Sequence, residues 1–318
     1  MTAVGTAAAG TPGAGETDEV DLTFALPMYN EEGIVHEAVT RVLKAGAESG
    51  RSYEVLAVDD GSSDRTPELL AGLQDTHDRF RWVQLRPNCG QPASSKAALL
   101  AARGRMVAVL DADLQTPPEL VPRLADALES AGPYTAAVFG TTSTRRRKDP
   151  VRLLAGQAVF YFVQTRLSRN PIPHGASSFF VMRRDAAHRV ARLRFTKGNV
   201  GSVLAALGLG IEAVTYDKPA SYRADSRLGL RGHVEEAVGS LALTGVLSRC
   251  GGTAAALGAA AAAASRLRGR SRARTAAYLA GAGMGLVAAG AAESFLRTSL
   301  TDSDTELPIF AGTSGDPA

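Results

Sequence analysis

The chain has 318 residues, with 35 Lys and Arg against 32 Asp and Glu and a formal net charge of +3. It is long enough to bury a full core and too weakly charged overall to carry a nucleic-acid signature. Its two cysteines, Cys89 and Cys250, lie far apart with no CxxC or Cys/His spacing, so neither a disulfide framework nor a zinc site is suggested and a reducing compartment fits best.

Residues 1–20 are rich in Ala, Gly and Thr and lack the basic start and long apolar stretch of a secretory signal, which reads as a disordered leader. From Leu22 the pattern changes. "LTFALPMYNEE" is a short apolar run ended by a polar cluster, and a helical pattern follows from about Gly33 to Ala47. "YEVLAVDDGSSDRTPELLAGLQD" repeats the theme with a strand over Tyr53–Val58, a carboxylate-rich loop, and a helix that Ser63 or Asp64 would cap. "RFRWVQLRPN" is a third strand and "PASSKAALLAARG" a helix closing on Gly104. "MVAVLDAD" is the fourth strand, and "PPELVPRLADALESA" a helix with prolines at its first turn. Strands alternating with helices predict an open, mostly parallel α/β sheet of the Rossmann type, covered on both faces.

Ligands of such sheets bind beyond the carboxyl ends of the strands, and Asn30, Asp59, Asp60, Asp111 and Asp113 all fall there. Any one of them is as readily a cap or a turn former; the whole set is less easily explained that way. Asp111 and Asp113 are two residues apart. If the extended conformation persists, their side chains leave on one side and can converge on an ion. Carboxylates suit a hard divalent cation, Mg²⁺ or Mn²⁺, held with a diphosphate. No Walker or GxGxxG loop is present, so metal and arginine would meet the phosphates.

"PMYNEE", "VDDGSSDRT" and "LDADLQTPPE", in this order and spacing, resemble the nucleotide-sugar-binding half of family 2 glycosyltransferases with the GT-A fold. The glutamine and double proline after the DxD resemble the branch that loads sugars onto polyprenyl or dolichyl phosphate. The likeness is strong over about Leu22–Ala131 and weaker through "RRRKDPVRLLAGQAVFYFVQTRLSRNPIPHGASSFFVMRRD" and "YDKPASYRADSRLGLR". It implies that Pro27, Tyr29, Asn30 and Glu31 line the nucleoside pocket with Asp59, Asp60, Gly61 and Ser62, Asp60 accepting a hydrogen bond from the base. Asp111 and Ala112 would lie by the ribose or the sugar, and Asp113 and Gln115 at the metal. The implied reaction is a single displacement with inversion at the anomeric carbon. A hydroxyl acceptor needs a general base, whereas a phosphate acceptor is already ionised.

The chain departs from that pattern after "IPHG". Relatives usually carry an acid and then an arginine where Ser178 and Phe180 stand, and His174 occupies a position where an acid is common. Loss of the acid suits a phosphate nucleophile, yet loss of the arginine removes a phosphate ligand. Asp111, Asp113, His174 and Ser178 are therefore the candidate catalytic residues, although a lone histidine after a proline in a loop, as His174 is, is more often an ordinary surface residue. Arg145 and Arg147, within Arg145–Lys148, and Arg223, Ser226 and Arg227 are candidates for the acceptor phosphate or an anionic membrane face; a solvated loop is the plain alternative for the first cluster.

Residues 21–235 would form the catalytic domain, 236–300 an Ala/Gly-rich helical hairpin and 301–318 a tail. Relatives commonly have two transmembrane helices in the hairpin region. Here the first uncharged stretch is short of the ~20 residues a span needs, and its connector "SRLRGRSRAR" holds five arginines. A two-span hairpin would put that connector outside, against the positive-inside tendency. A hairpin packed on the domain, on a second copy, or peripherally on the membrane surface is favoured. The resemblance thus implies a cytoplasmic enzyme, working at or near the inner face of the plasma membrane, that takes a nucleotide-diphosphate sugar and either a polyprenyl phosphate or a soluble hydroxyl acceptor. A non-catalytic nucleotide-sugar-binding scaffold is the third reading, and the intact DxD argues against it.

Overall fold

In the computed structural model, the residues described are 19–142, 172–173, 176–193, 200–216, 280 and 309–311. Of the expected leader, only Glu19 and Val20 are among them; the hairpin, residue 280 apart, lies outside them. Among the described residues no helix is long and apolar enough to cross a membrane.

The chain alternates as expected: β1 (Leu22–Met28), α1 (Val35–Glu48), β2 (Tyr53–Asp59), α2 (Thr66–Gln74), β3 (Phe80–Leu85), α3 (Gln91–Ala101) and β4 (Met106–Val109). A 3₁₀ turn over Pro118–Leu120 then leads into α4 (Val121–Ser130), β5 (Thr135–Thr142), β6 (Ala176–Arg183), α5 (Arg184–Arg192), α6 (Val200–Ala206), β7 (Gly210–Tyr216) and β8 (Ile309–Ala311). The helices form where apolar residues recur at helical spacing: α1 buries Val35, Ala38, Val39, Val42 and Ala45, and α4 buries Val121, Leu124, Ala125 and Leu128. Helix α2 begins at Thr66 with Arg65, not Ser63 or Asp64, at its N-cap and no capping bond from that side chain; Asp64, one residue further out, accepts the Thr66 N–H through its Oδ1 at 2.9 Å.

The eight strands form one sheet in the order β7-β5-β6-β4-β1-β2-β3-β8. The β4-β1-β2-β3 block is parallel, as is the β5-β7 pair, while β6 and β8 run antiparallel to their neighbours. The sheet is thus mostly parallel, and its antiparallel members are the ones that strand–helix alternation does not announce. Strand β8, from the tail, pairs Leu85 with Ile309 at the β3 edge.

Alternate side chains of the central strands feed two cores. Leu22, Phe24, Leu26, Val55 and Ala57 pack under α1, α2 and α4, while Ala25, Leu56 and Val58 pack against α3, α5 and α6. At the amino-terminal end of the sheet, buried Glu54 joins several segments. It accepts the Thr23 hydroxyl at 2.7 Å, the Arg81 Nε–H at 2.7 Å and the Arg103 N–H at 2.7 Å. Burial opposes its charge, but the hydrogen bond and charge of Arg81, with the other donors, hold its carboxyl below the ordinary value.

On α3, Lys96 donates to the Leu193 carbonyl at 2.6 Å, and burial lowers its pKa from 10.5 to about 8. Between those two values the unfolded chain binds the extra proton, so stability rises with pH. In urea titrations at pH 7.5 and 10 the wild type should gain stability relative to Lys96→Met across this window; parallel behaviour of the two proteins would refute the assignment.

Candidate active site

The chain moves outward from β1 to β2 and β3, then crosses back to place β4 on the other side of β1. This reversal is a topological switch point, and the crevice beyond the carboxyl ends of β1 and β4 is where such sheets bind ligands. Met28, Asp59 and Val109 end the three central strands there.

The loops after β1 and β2 are laced together through side chains. Asn30 has φ 53°, a left-handed conformation that asparagine tolerates. Its N–H donates to Ser62 Oγ at 2.8 Å, and its Oδ1 accepts the Ser63 N–H at 2.9 Å. The Glu31 N–H donates to Thr66 Oγ1 at 2.8 Å, while Glu32 and Asp64 reinforce the seam through the Arg65 and Glu32 N–H groups. Pro27 is the penultimate residue of β1, opposite Val58, Tyr29 is 39% exposed, and Glu31 is buried.

The adjacent Asp59 and Asp60 do different work. Asp59 is fully buried, and its carboxylate accepts the Ser62 N–H and hydroxyl and the Gln84 Nε2–H at 2.7 Å. It organises the loop from within. Asp60 accepts the Cys89 N–H at 2.9 Å, and its carbonyl accepts Asn88 Nδ2–H at 2.9 Å. Burial pushes the Asp60 carboxyl above its ordinary value, against the backbone N–H bonds of Cys89 and Gly90. Gly61 has φ 68°, and a Cβ there would stand 2.9 Å from the Asn88 nitrogen, so this position demands glycine twice over.

Strand β4 ends at Val109, earlier than the run through Asp113 expected from sequence, although the Leu110 N–H still donates to the Ala25 carbonyl at 3.0 Å. The two-residue alternation nevertheless continues: Ala112, Leu114, Thr116 and Pro118 are buried, while Asp111, Asp113 and Gln115 are partly exposed. The buried members anchor the loop and leave the two carboxylates and the amide partly exposed. Leu114 is left-handed at φ 56°, a conformation a bulky residue reaches only when its surroundings enforce it. The Gln115 N–H donates to Asp113 Oδ1 at 3.0 Å.

Strand β6 completes this side. Val109 pairs with Phe180, and the antiparallel register carried on by two residues sets Asp111 against Ser178. The Ser178 hydroxyl donates to Asp111 Oδ2 at 2.5 Å. Phe180 is buried, its ring centroid 5.1 Å from that of Phe139. The residue that stands where relatives carry an arginine thus serves the core.

The structure therefore brings Pro27, Tyr29, Asn30, Glu31, Asp59, Asp60, Gly61, Ser62, Asp111, Ala112, Asp113, Gln115 and Ser178 to one end of the sheet. His174, Arg145, Arg147, Arg223, Ser226 and Arg227 lie outside the described residues. Gln84, Asn88 and Cys89 were missed in the sequence reading. Gln84 had a signal, a polar side chain in the otherwise buried end of "FRWVQL", since a buried amide needs a partner; Asn88 and Cys89 act through loop geometry and carried none. Asp111, Asp113 and Gln115 offer hard oxygen donors that fit Mg²⁺ or Mn²⁺. Among the described residues no group of three His, Cys, Asp or Glu side chains could hold a metal by itself.

A family model described as glycosyl transferase family 2 matches residues 23–191. Among curated proteins, the chain is 31% identical over 183 residues to an uncharacterized glycosyltransferase of Synechocystis sp., covering 56% of each chain. It is 34% identical over 159 residues to undecaprenyl-phosphate 4-deoxy-4-formamido-L-arabinose transferase of Pectobacterium carotovorum, covering 50% of this chain and 47% of that one. The chain spans about half the length of the curated relatives it matches. Its fold is like that of glucosyl-3-phosphoglycerate synthase from Mycobacterium tuberculosis in complex with UDP, with TM-score 0.51 and 23% identity over 73% of this chain and 80% of that one. The same holds for mannosyl-3-phosphoglycerate synthase from Rubrobacter xylanophilus, with TM-score 0.50 and 19% identity over 70% and 72% of the respective chains. At these identities the likeness is one of fold, the GT-A fold.

Proposed function

Since the chain belongs to glycosyl transferase family 2, we propose that it moves a sugar, with inversion, from a nucleotide-diphosphate sugar to a polyprenyl-phosphate-type acceptor, assisted by Mg²⁺ or Mn²⁺. The observation that carries this reading is the presentation of Asp111, Asp113 and Gln115 together at the switch point, beside the laced loops of Asn30 and Asp60. A relative named as an undecaprenyl-phosphate sugar transferase supports the acceptor class.

In this reading the loops after β1 and β2 receive the nucleoside, with Pro27, Tyr29, Asn30 and Glu31 along one wall and Asp60 facing the base. Asp59, Gly61 and Ser62 keep that wall in shape. Asp113 and Gln115 would hold the cation, whose bound charge neutralises the departing nucleoside diphosphate. Asp111, oriented by Ser178, positions the sugar end of the donor. A phosphate acceptor brings its own ionised nucleophile, in keeping with a serine at the position where relatives carry an acid. Residues 21–235 form the catalytic unit, and the arginines at 145, 147, 223 and 227, with Ser226, meet the acceptor phosphate at the cytoplasmic membrane face.

A soluble acceptor is the second reading, favoured by one observation: Phe180 is packed in the core where a phosphate-binding arginine is expected. Purified protein with Mg²⁺ or Mn²⁺, a panel of nucleotide sugars, and undecaprenyl phosphate present or absent decides between them. Transfer only with the lipid phosphate is the expected result. Donor binding with no response to the lipid would overturn the acceptor assignment and make His174 the next residue to replace.

A further inference from the structure

We infer that Arg86, just past the end of β3, is a positioning residue for the donor site, the outer end of a directed chain of hydrogen bonds that runs through Gln84, Asp59 and Ser62 to the left-handed backbone of Asn30. The inference rests on the glycosyl-transfer reading above and deepens it by naming what holds the nucleoside wall.

The chain follows from strand register. Asp59 lies opposite Gln84 where β2 and β3 run parallel, so the two side chains are neighbours on one face of the sheet. Arg86 stands two residues beyond Gln84 and returns to that face. Its Nε–H donates to Gln84 Oε1 at 2.6 Å, and the Gln84 Nε2–H donates to Asp59 Oδ2 at 2.7 Å. The Ser62 hydroxyl donates to Asp59 Oδ1, and the same Ser62 oxygen accepts the Asn30 N–H at 2.8 Å. Asn30, at φ 53°, closes the series when its Oδ1 accepts the Ser63 N–H at 2.9 Å. The loops after β1 and β2 are thereby fixed against each other, beside Tyr29 and Glu31.

Each group leaves its neighbour a single role. A guanidinium only donates, so the Gln84 oxygen faces Arg86 and its amino group faces Asp59. A carboxylate only accepts, so the Ser62 hydroxyl gives its hydrogen to Asp59 and offers its lone pairs to Asn30. Asp59 is fully buried and Gln84 is 6% exposed, whereas Arg86 is exposed. The side-chain bonds to Asp59 come from neutral groups, Ser62 and Gln84, and Arg86 is the one cation in the chain. A buried carboxylate is costly unless it is paired and hydrogen-bonded. Here the opposite charge reaches it through an oriented amide, and hydrogen bonds in such a series polarise and strengthen one another.

The experiment is Arg86→Met in the full chain, which keeps an apolar stem and removes the donor. A panel of nucleoside diphosphates is titrated with Mn²⁺, and the matching nucleotide sugars are assayed for turnover. The dissociation constant of the best-bound diphosphate and KM for its sugar should rise about three- to tenfold, within the range of coupling carried by such networks. The kcat and the thermal midpoint should stay close to wild type, because Arg86 is exposed and β3 is separated from β4 by β1 and β2. Ser62→Ala cuts the chain next to Asn30 and should weaken binding more. Adding Arg86→Met to Ser62→Ala should then cost little further, since members of one network are not additive. Additive losses would mean that Arg86 acts outside the chain and would overturn the inference. So would an unchanged affinity in Arg86→Met, or a loss that tracks the midpoint. Failure of the wild type to bind any nucleoside diphosphate would instead remove the glycosyl-transfer reading, and this inference with it.

Discussion

Asp113→Ala should abolish divalent-dependent binding of the nucleoside diphosphate and lower turnover by about 10²–10³-fold, the usual scale for removing a group that stabilises transition-state charge, with the fold intact. Asp113 is partly exposed, and among the described residues its carboxylate accepts the next-but-one backbone N–H, so its loss strands a single donor with access to water. The expected stability cost is about 1 kcal/mol or less. Asp59→Ala is the contrasting substitution. It removes a fully buried carboxylate and leaves the Ser62 N–H, the Ser62 hydroxyl and the Gln84 amide without their acceptor, at about 1–3 kcal/mol for each group left unsatisfied. Calorimetric titration of a panel of nucleoside diphosphates with and without Mn²⁺, alongside thermal melts, separates the two roles. Unchanged divalent-dependent affinity in Asp113→Ala would remove the metal assignment.

Gly61→Ala should damage stability and donor binding together. The left-handed backbone costs a non-glycine residue about 1–2 kcal/mol, and overpacking adds about 1–3 kcal/mol. The added methyl would press on the Asn88 backbone nitrogen at 2.9 Å and the Leu85 carbonyl oxygen at 3.0 Å, atoms that cannot rotate aside. The displaced segment carries the Asn88 and Cys89 bonds that hold Asp60, so the affinity for the nucleotide donor should fall with the midpoint. Gly72→Ala is the matched control. It lies within α2 with nothing within 4 Å of the added Cβ, and should stabilise by about 0.5–1 kcal/mol. An unperturbed affinity for the nucleotide donor in a folded Gly61→Ala protein would show that the Asp60 loop does not form the nucleoside wall.

Local signals in the sequence determined the strand–helix alternation from Leu22 to Ala131, the two-faced burial of the central strands and the clustering of Asn30, Asp60, Asp111 and Asp113 at one end of the sheet. Each depends on periodicity or turn chemistry within a dozen residues, and the motif series identified the family from the same short stretches. Only the tertiary structure decided what each carboxylate faces. "DD" reads as two equivalent acids, but the peptide between them turns Asp59 onto Gln84, 25 residues on, and Asp60 onto Cys89, 29 residues on. The antiparallel placement of β6, which sets Ser178 against Asp111 across 67 residues, and the arrival of β8 at the β3 edge are likewise pairings between distant segments. Hydrogen bonds of this kind are chosen by which strands become neighbours in the sheet, and no local propensity encodes that choice.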